Sequence, residues 1–237
     1  MEYKKYTKEN DFSYAIGGFP TYELLNSKVA KVKELLLHDK IQKSPEVEKI
    51  LKLAKEKRVP IHTNSKVIEK ISNKGNVYLM ARFEKYTQTL EKDKNHVLLV
   101  NPSDMGNLGT IIRVMLGFGY NNLAIITPCI DHFDPKVIRA SMGSIFNINI
   151  QLFGSIEEYT REYNNALYPF MLKAKTTLQE ISHKTTPHTL VFGNEAHGLP
   201  DKYLELGTPI LIKHSKDIDS LNLSMSVGIA LYEFSKK

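Results

Sequence analysis

HVLLVNPSDMGNLGTIIRVMLGFG, residues 96–119, is the stretch on which the fold turns. HVLLV is a short apolar run with β-branched residues and reads as a strand. LGTIIRVMLGFG reads as a helix, and the polar loop NPSDMGNLG joins the two. The pattern continues along the chain. NLAIITP, FNINIQLF, ALYPFML, TLVFGN and TPILIK are further short apolar runs. PKVIRASMGS, SIEEYTREYN, LPDKYLEL and SLNLSMSVGIALYEF are helical stretches between or after them. Strand–helix alternation predicts an α/β fold with a mostly parallel sheet and helices on both faces. In such sheets ligands sit at the carboxyl ends of the strands. The loops NPSDMGNLG, GNEAHGLP and KHSKDIDSLN fall there.

The residues before 96 have another texture. TYELLNS is helical, and KVAKVKELLLHDK holds a strand-like core of Val32, Leu35, Leu36 and Leu37. SPEVEKILKLAKEKR carries an N-cap serine, Ser44, a first-position proline, Pro45, and an apolar face of Val47, Ile50, Leu51, Leu53 and Ala54. VPIHT reads as a short strand, NSKVIEKIS as a capped helix and NVYLMARF as a strand. EKYTQTLEKDKN, 84–95, is polar and aperiodic. The expected organisation is a small α/β domain over 1–88, a linker over 89–95 and a larger domain over 96–237.

The 237 residues are 42% hydrophobic and 24% charged, ordinary for a globular protein. The net charge of +6 is unevenly spread. Residues 1–90 hold 18 Lys and Arg against 11 Asp and Glu, whereas 91–237 hold 14 against 15. A basic N-terminal half suits a polyanionic partner, and equally a lysine-rich solvated surface. The polar opening MEYKKYTKEN lacks an apolar signal-peptide core, and no apolar run approaches the roughly 20 residues that span a bilayer. The single cysteine, Cys129, builds neither an internal disulfide nor a cysteine metal cluster. The chain is expected to be cytoplasmic.

Common cofactor signatures fail. No phosphate-binding G-x-x-x-x-G-K-[ST] occurs, and GFGYNN is not a dinucleotide fingerprint. His183 and His188 lack a cysteine partner, so zinc is disfavoured. No G-x-S-x-G elbow is present. Three polar loops remain. In NPSDMGNLGTIIR, Gly106 and Gly109 allow tight backbone, Asn107 can cap, and Arg113 is either functional or an exposed helical arginine. In VFGNEAHGLP, Gly193 and Gly198 bracket Asn194, Glu195 and His197; glycines there permit close approach to a ligand. Glu195 could instead be the first-turn carboxylate of a helix beginning near Leu199. In SLNLSMS, 220–226, Ser220 and Asn222 flank Leu221, and Ser220 also suits a helix cap.

Together, NLGTIIR, GNEAHGL and SLNLS make the chain resemble the SpoU (TrmH-type) RNA ribose 2′-O-methyltransferases of the knotted SPOUT class. PKVIRASMGSIF, 135–146, looks like the mid-domain segment of that family, and the likeness covers about residues 96–235. IGGFPTYELL, KVKELLL and ILKLAKEKRVPI resemble, more loosely, the ribosomal-protein-like substrate-binding domain that many members carry. The resemblance implies a parallel sheet with a C-terminal trefoil knot. It also implies a homodimer joined in part by the last helix, S-adenosylmethionine as cofactor, and no metal, since the sulfonium is already electrophilic. The expected substrate is a ribose 2′-hydroxyl of structured RNA, ribosomal (large-subunit, 23S) in preference to transfer RNA. A non-catalytic RNA-binding protein of the same fold and a methyltransferase for a non-RNA substrate are the competing readings. Gly193, Asn194, Gly198, Ile212 and Leu221 are implied cofactor contacts. Arg113, Asn107, Glu195, Ser220 and Asn222 are the implied catalytic set. Because a guanidinium stays protonated, Arg113 fits alkoxide stabilisation or a phosphate contact better than a base. The sequence departs from the family's I-P-M: Ile212 is followed by Lys213 and His214.

Overall fold

A computed structural model describes residues 3–72, 76–181 and 185–236 of the chain. His183, considered above as a metal ligand, lies outside them. The chain forms two compact units. One comprises Met1–Tyr86 with Asp131–Asn147, the other Thr87–Ile130 with Ile148–Lys237.

The first unit runs β1 (Phe12–Ile16), α1 (Gly18–Ser27), β2 (Val32–Leu37), α2 (Pro45–Glu56), β3 (Ile61–Thr63), α3 (Ser65–Ser72) and β4 (Leu79–Glu84). Its sheet has the order β1-β4-β2-β3. β4 is antiparallel to β1 and β2, and β3 is parallel to β2. Ser44 caps α2 by accepting the Val47 N–H at 3.3 Å, with Pro45 at the first helical position. Asn64 does the same for α3 through Val67 N–H. Tyr14, Leu36 and Met80 bury one sheet face against Ile68 and Ile71 of α3.

The second unit begins with β5 (His96–Val100), α4 (Met105–Gly117) and β6 (Asn122–Ile126). The chain then contributes α5 (Pro135–Ala140) to the first unit. It returns through β7 (Asn149–Phe153), α6 (Ile156–Glu162), β8 (Ala166–Pro169), β9 (Thr176–Thr177), β10 (His188–Phe192), β11 (Ile210–Leu211) and α7 (Leu223–Ser235). The main sheet, β7-β6-β5-β10-β8, is parallel throughout. β5, β6 and β10 are buried at every residue, which explains the apolar runs VLLV, LAII and LVF within them. β11 and β9 form a short parallel ladder of their own.

Strand order sets the site. From β5 the chain builds outward through β6 and β7, then places β10 and β8 on the opposite side of β5. The carboxyl ends of β5 and β10 therefore meet at a reversal point, where loops diverge and leave a crevice.

The structure refines four expectations. Residues 131–147, expected within the larger domain, make their contacts in the first unit. There the Phe133 and Phe146 rings meet Phe83 edge-on, Lys85 Nζ lies 2.7 Å from Asp131, and Tyr6 donates to the same carboxylate. The expected linker 89–95 is tied down: Leu90 is buried, its N–H bonds to Gln151 Oε1 at 3.0 Å, and Glu91 N–H bonds to Asn122 Oδ1 at 2.9 Å. LPDKYLEL forms only a 3-10 turn over Asp201–Glu205, since Pro200 precedes it and Gly207 takes a positive φ beyond it. The caps also move. Asp104, not Asn107, caps α4, and Asn222, not Ser220, caps α7.

Candidate active site

The loop after β10 is shaped by two glycines. Gly198 adopts φ +65, and its N–H bonds back to Asn194 O at 2.9 Å, closing a tight turn. Gly193 lies under that turn; a Cβ there would overlap the backbone of Gly198 and Leu199. The turn is stitched to the loop after β5 by Asn194 Nδ2, which donates to Asn101 O at 2.7 Å. Asn194 Oδ1 accepts the N–H groups of Ala196 and His197.

Glu195 crosses between the same two loops. Oε2 accepts from Ser103 N–H at 3.0 Å and Ser103 Oγ at 2.8 Å. Oε1 accepts from Asp104 N–H at 3.2 Å and Asn107 Nδ2 at 3.4 Å. The carboxylate thus serves the approach to α4, not a helix of its own loop. Partial burial works to raise its pKa, but the Ser103 and Asp104 hydrogen bonds outweigh this and hold it below the ordinary carboxylate value. A carboxylate so well solvated by donors is a weak base and a firm anchor.

Asn107 then links to the third loop. Being inside the first turn of α4, its side chain is free of capping, and Oδ1 accepts from Asn222 Nδ2 at 3.1 Å. Asn222 Oδ1 meanwhile accepts Ser224 N–H at 2.9 Å and Met225 N–H at 3.4 Å, capping α7. Glu195, Asn107 and Asn222 form one hydrogen-bonded chain joining residues more than 80 positions apart.

Beside this chain lies a cavity of about 580 Å³. Gly193, Asn194, Glu195, Gly198, Ile212, Ser220 and Leu221 all line it. Phe170, just beyond β8, and Phe192, ending β10, stack at 4.5 Å and 9° as an apolar wall. His214 also lines it, with Nδ1 2.8 Å from Ile212 O. Every expected cofactor contact therefore meets at one cavity. Arg113 does not: it is exposed on α4, outside the cavity wall, and makes no hydrogen bond to Asn107, Glu195 or Asn222. Sequence reasoning missed Ser103 and Asp104, which hold Glu195, and the Phe170–Phe192 pair. Ser103 and Asp104 sat inside a polar loop, but their partner, 92 and 91 positions away, left no local signal. Among the described residues, no group of three or more His, Cys, Asp and Glu side chains is arranged to hold a metal.

This α/β architecture, with its loop crevice beside a parallel sheet, is that of SPOUT methyltransferase structures. Residues 94–232 match the model of the SpoU rRNA Methylase family, and the chain belongs to that family. Residues 14–87 match the model described as RNA 2′-O ribose methyltransferase substrate binding. An uncharacterised tRNA/rRNA methyltransferase of Synechocystis is 33% identical over 141 residues, covering 58% of this chain and 51% of the relative. The 23S rRNA (adenosine(1067)-2′-O)-methyltransferase of Streptomyces azureus is 29% identical, covering 58% and 52%. The chain spans about half the length of these two curated relatives. Among solved structures, the AdoMet-bound rRNA methyltransferase from Sinorhizobium meliloti superposes with a TM-score of 0.80 at 27% identity, covering 94% of this chain and 86% of that one.

Proposed function

We propose that this protein transfers a methyl group from S-adenosylmethionine to a ribose 2′-hydroxyl of structured RNA, ribosomal in preference to transfer RNA. The observation that carries the reading is the Glu195–Asn107–Asn222 chain standing beside a cavity that all five expected cofactor contacts line. The cavity fits the cofactor: its volume lies within the usual range for small-molecule sites, roughly 300–1,000 Å³, and its wall combines apolar rings with polar backbone. When bound, S-adenosylmethionine supplies a methyl group activated by its sulfonium charge.

The protein's own residues orient and stabilise. The turn around Gly193 and Gly198 presents main-chain groups that read an adenine edge without side-chain specificity. Glu195 is a positioning residue, since its four donors leave it little basicity. Asn107, Asn222 and Ser220 orient the ribose. Arg113 would stabilise the negative charge on the ribose oxygen as its proton passes to solvent, or would grip the adjacent phosphate. The C-terminal region is assigned the family's trefoil knot, and the first unit is assigned RNA binding.

Arg113 stands off its own cavity, which favours a homodimer. α4 packs against α7, whose outward residues Met225, Ile229 and Tyr232 are apolar and exposed, with Phe118 beside Tyr232. Pairing through this face would bury them and bring Arg113 to the partner's site. The chain as a whole is tested by calorimetry with S-adenosylmethionine and by methyl transfer to total cellular RNA. Expected are binding, transfer and a 2′-O-methyl mark in ribosomal RNA. Absence of cofactor binding defeats the enzyme reading, and a mark found only in transfer RNA defeats the substrate preference.

A further inference from the structure

The first unit carries 20 Lys and Arg against 13 Asp and Glu, the second 12 against 13, so the excess positive charge belongs to the first unit. One place on that unit combines charge with exposed aromatic surface. Phe19, in the first turn of α1, is 66% exposed, more than any other large apolar side chain among the described residues. Tyr22 follows three residues later on the same helical face and is half-buried. Lys49 of α2 holds its ammonium 4.4 Å from the centre of the Tyr22 ring. The two helices pack together here, and a Cβ on Gly18 would come within 3.7 Å of Ile50 Cδ1. Lys52 stands one turn further along the Lys49 face, exposed and only 4.0 Å from a weak partner, Glu56.

An exposed phenylalanine gains nothing from water, and the described residues leave two thirds of this one uncovered. Beside lysines, a flat apolar ring is the combination that holds an unpaired nucleobase: the ring stacks on the base and the ammonium groups meet the flanking phosphates. A duplex would use the lysines and leave the ring idle, because its bases are already stacked. We propose that Phe19, with Tyr22 and Lys49, forms a stacking platform on the first unit for an unpaired base in a loop or bulge of the RNA, with Lys49 and Lys52 on the adjoining backbone. This deepens the RNA methyltransferase reading and rests on it.

The test uses the full chain and a labelled stem–loop RNA with a ten-nucleotide loop, against a blunt duplex of the same length. Phe19→Ala is expected to weaken stem–loop binding about 5- to 100-fold, with the salt dependence unchanged and duplex binding little altered. Phe19→Tyr should retain affinity. Lys49→Ala should reduce the slope of log affinity against log salt by about one phosphate contact. Cofactor binding should be unchanged in all three, since none of these residues lines the cavity, and that measurement also reports folding. If the unmodified protein binds neither RNA, the underlying RNA reading fails. If it binds the stem–loop and Phe19→Ala binds equally well, or if Phe19→Ala changes only the oligomeric state, the platform is wrong while the enzyme reading stands.

Discussion

Asn222 is asked to do two things at once. Its oxygen caps α7 and its nitrogen holds Asn107. The two roles separate by substitution. Asn222→Asp keeps a capping oxygen but loses the donor to Asn107. It should therefore retain thermal stability while methyl transfer falls, by about tenfold or more for one lost positioning contact. Asn222→Ala loses both and should also cost about 1 kcal/mol of stability. Thermal unfolding and a transfer assay on the two variants check this; equal stability loss in both would mean that the cap reading is wrong. The residue was legible as a site candidate because S-L-N-x-S recurs with two other motifs. Its capping role was not, because Ser220 and Asn222 are both good cap types and only the backbone path chooses between them. Asn107 and Asp104 present the same ambiguity three residues apart.

At the scale of elements, β5, β6 and β10 were readable because a strand buried on both faces keeps a short apolar run, VLLV, LAII and LVF here, after its polar first residues. β9 and β11 are two residues each and carry no period to detect. β1 escaped because FSYAI is only five residues long and opens Phe-Ser-Tyr, too short a run to show a period. The helix α7 shows its second face only in the fold. Val227, Ala230, Leu231 and Phe234 are buried, while Met225, Ile229 and Tyr232 look outward. Met225→Glu combined with Tyr232→Lys should convert a dimer to a monomer in analytical ultracentrifugation and abolish transfer. Mixing Arg113→Ala chains with Glu195→Ala chains should then restore a fraction of activity, since one site of each mixed pair would be whole. No recovery would place Arg113 in its own protomer's reaction.

For the whole molecule, the second unit's core contains a polar thread. His96 is fully buried; its Nε2 lies 2.9 Å from Glu91 O, so Nδ1 accepts from Tyr159 OH at 2.8 Å, and Tyr159 in turn meets Thr189 Oγ1 at 2.6 Å. Burial lowers the His96 pKa, against the raising effect of the Glu91 carbonyl and charge. The unfolded chain takes up this proton below about pH 6.5 while the folded chain resists it, so stability is full above that pH and declines as pH falls. His132, whose pKa burial lowers to about 4, adds to the same decline. One proton contributes at most about 1.4 kcal/mol per pH unit, so His96→Gln should make the decline shallower without abolishing it in chemical unfolding measured between pH 7.5 and 5. The largest-scale feature hidden from the sequence was the home of residues 131–147. Their local pattern shows a helix with a proline start, but nothing in it names Phe83 or Glu23 as neighbours. That placement bears on how the chain can be cut. Because the first unit is drawn from two separate passages of the chain, a cut near residue 86 moves an unfinished piece. Residues 1–86 alone would leave the Phe83 ring without Phe133 and Phe146, so that fragment should unfold more readily than the same unit carrying 131–147.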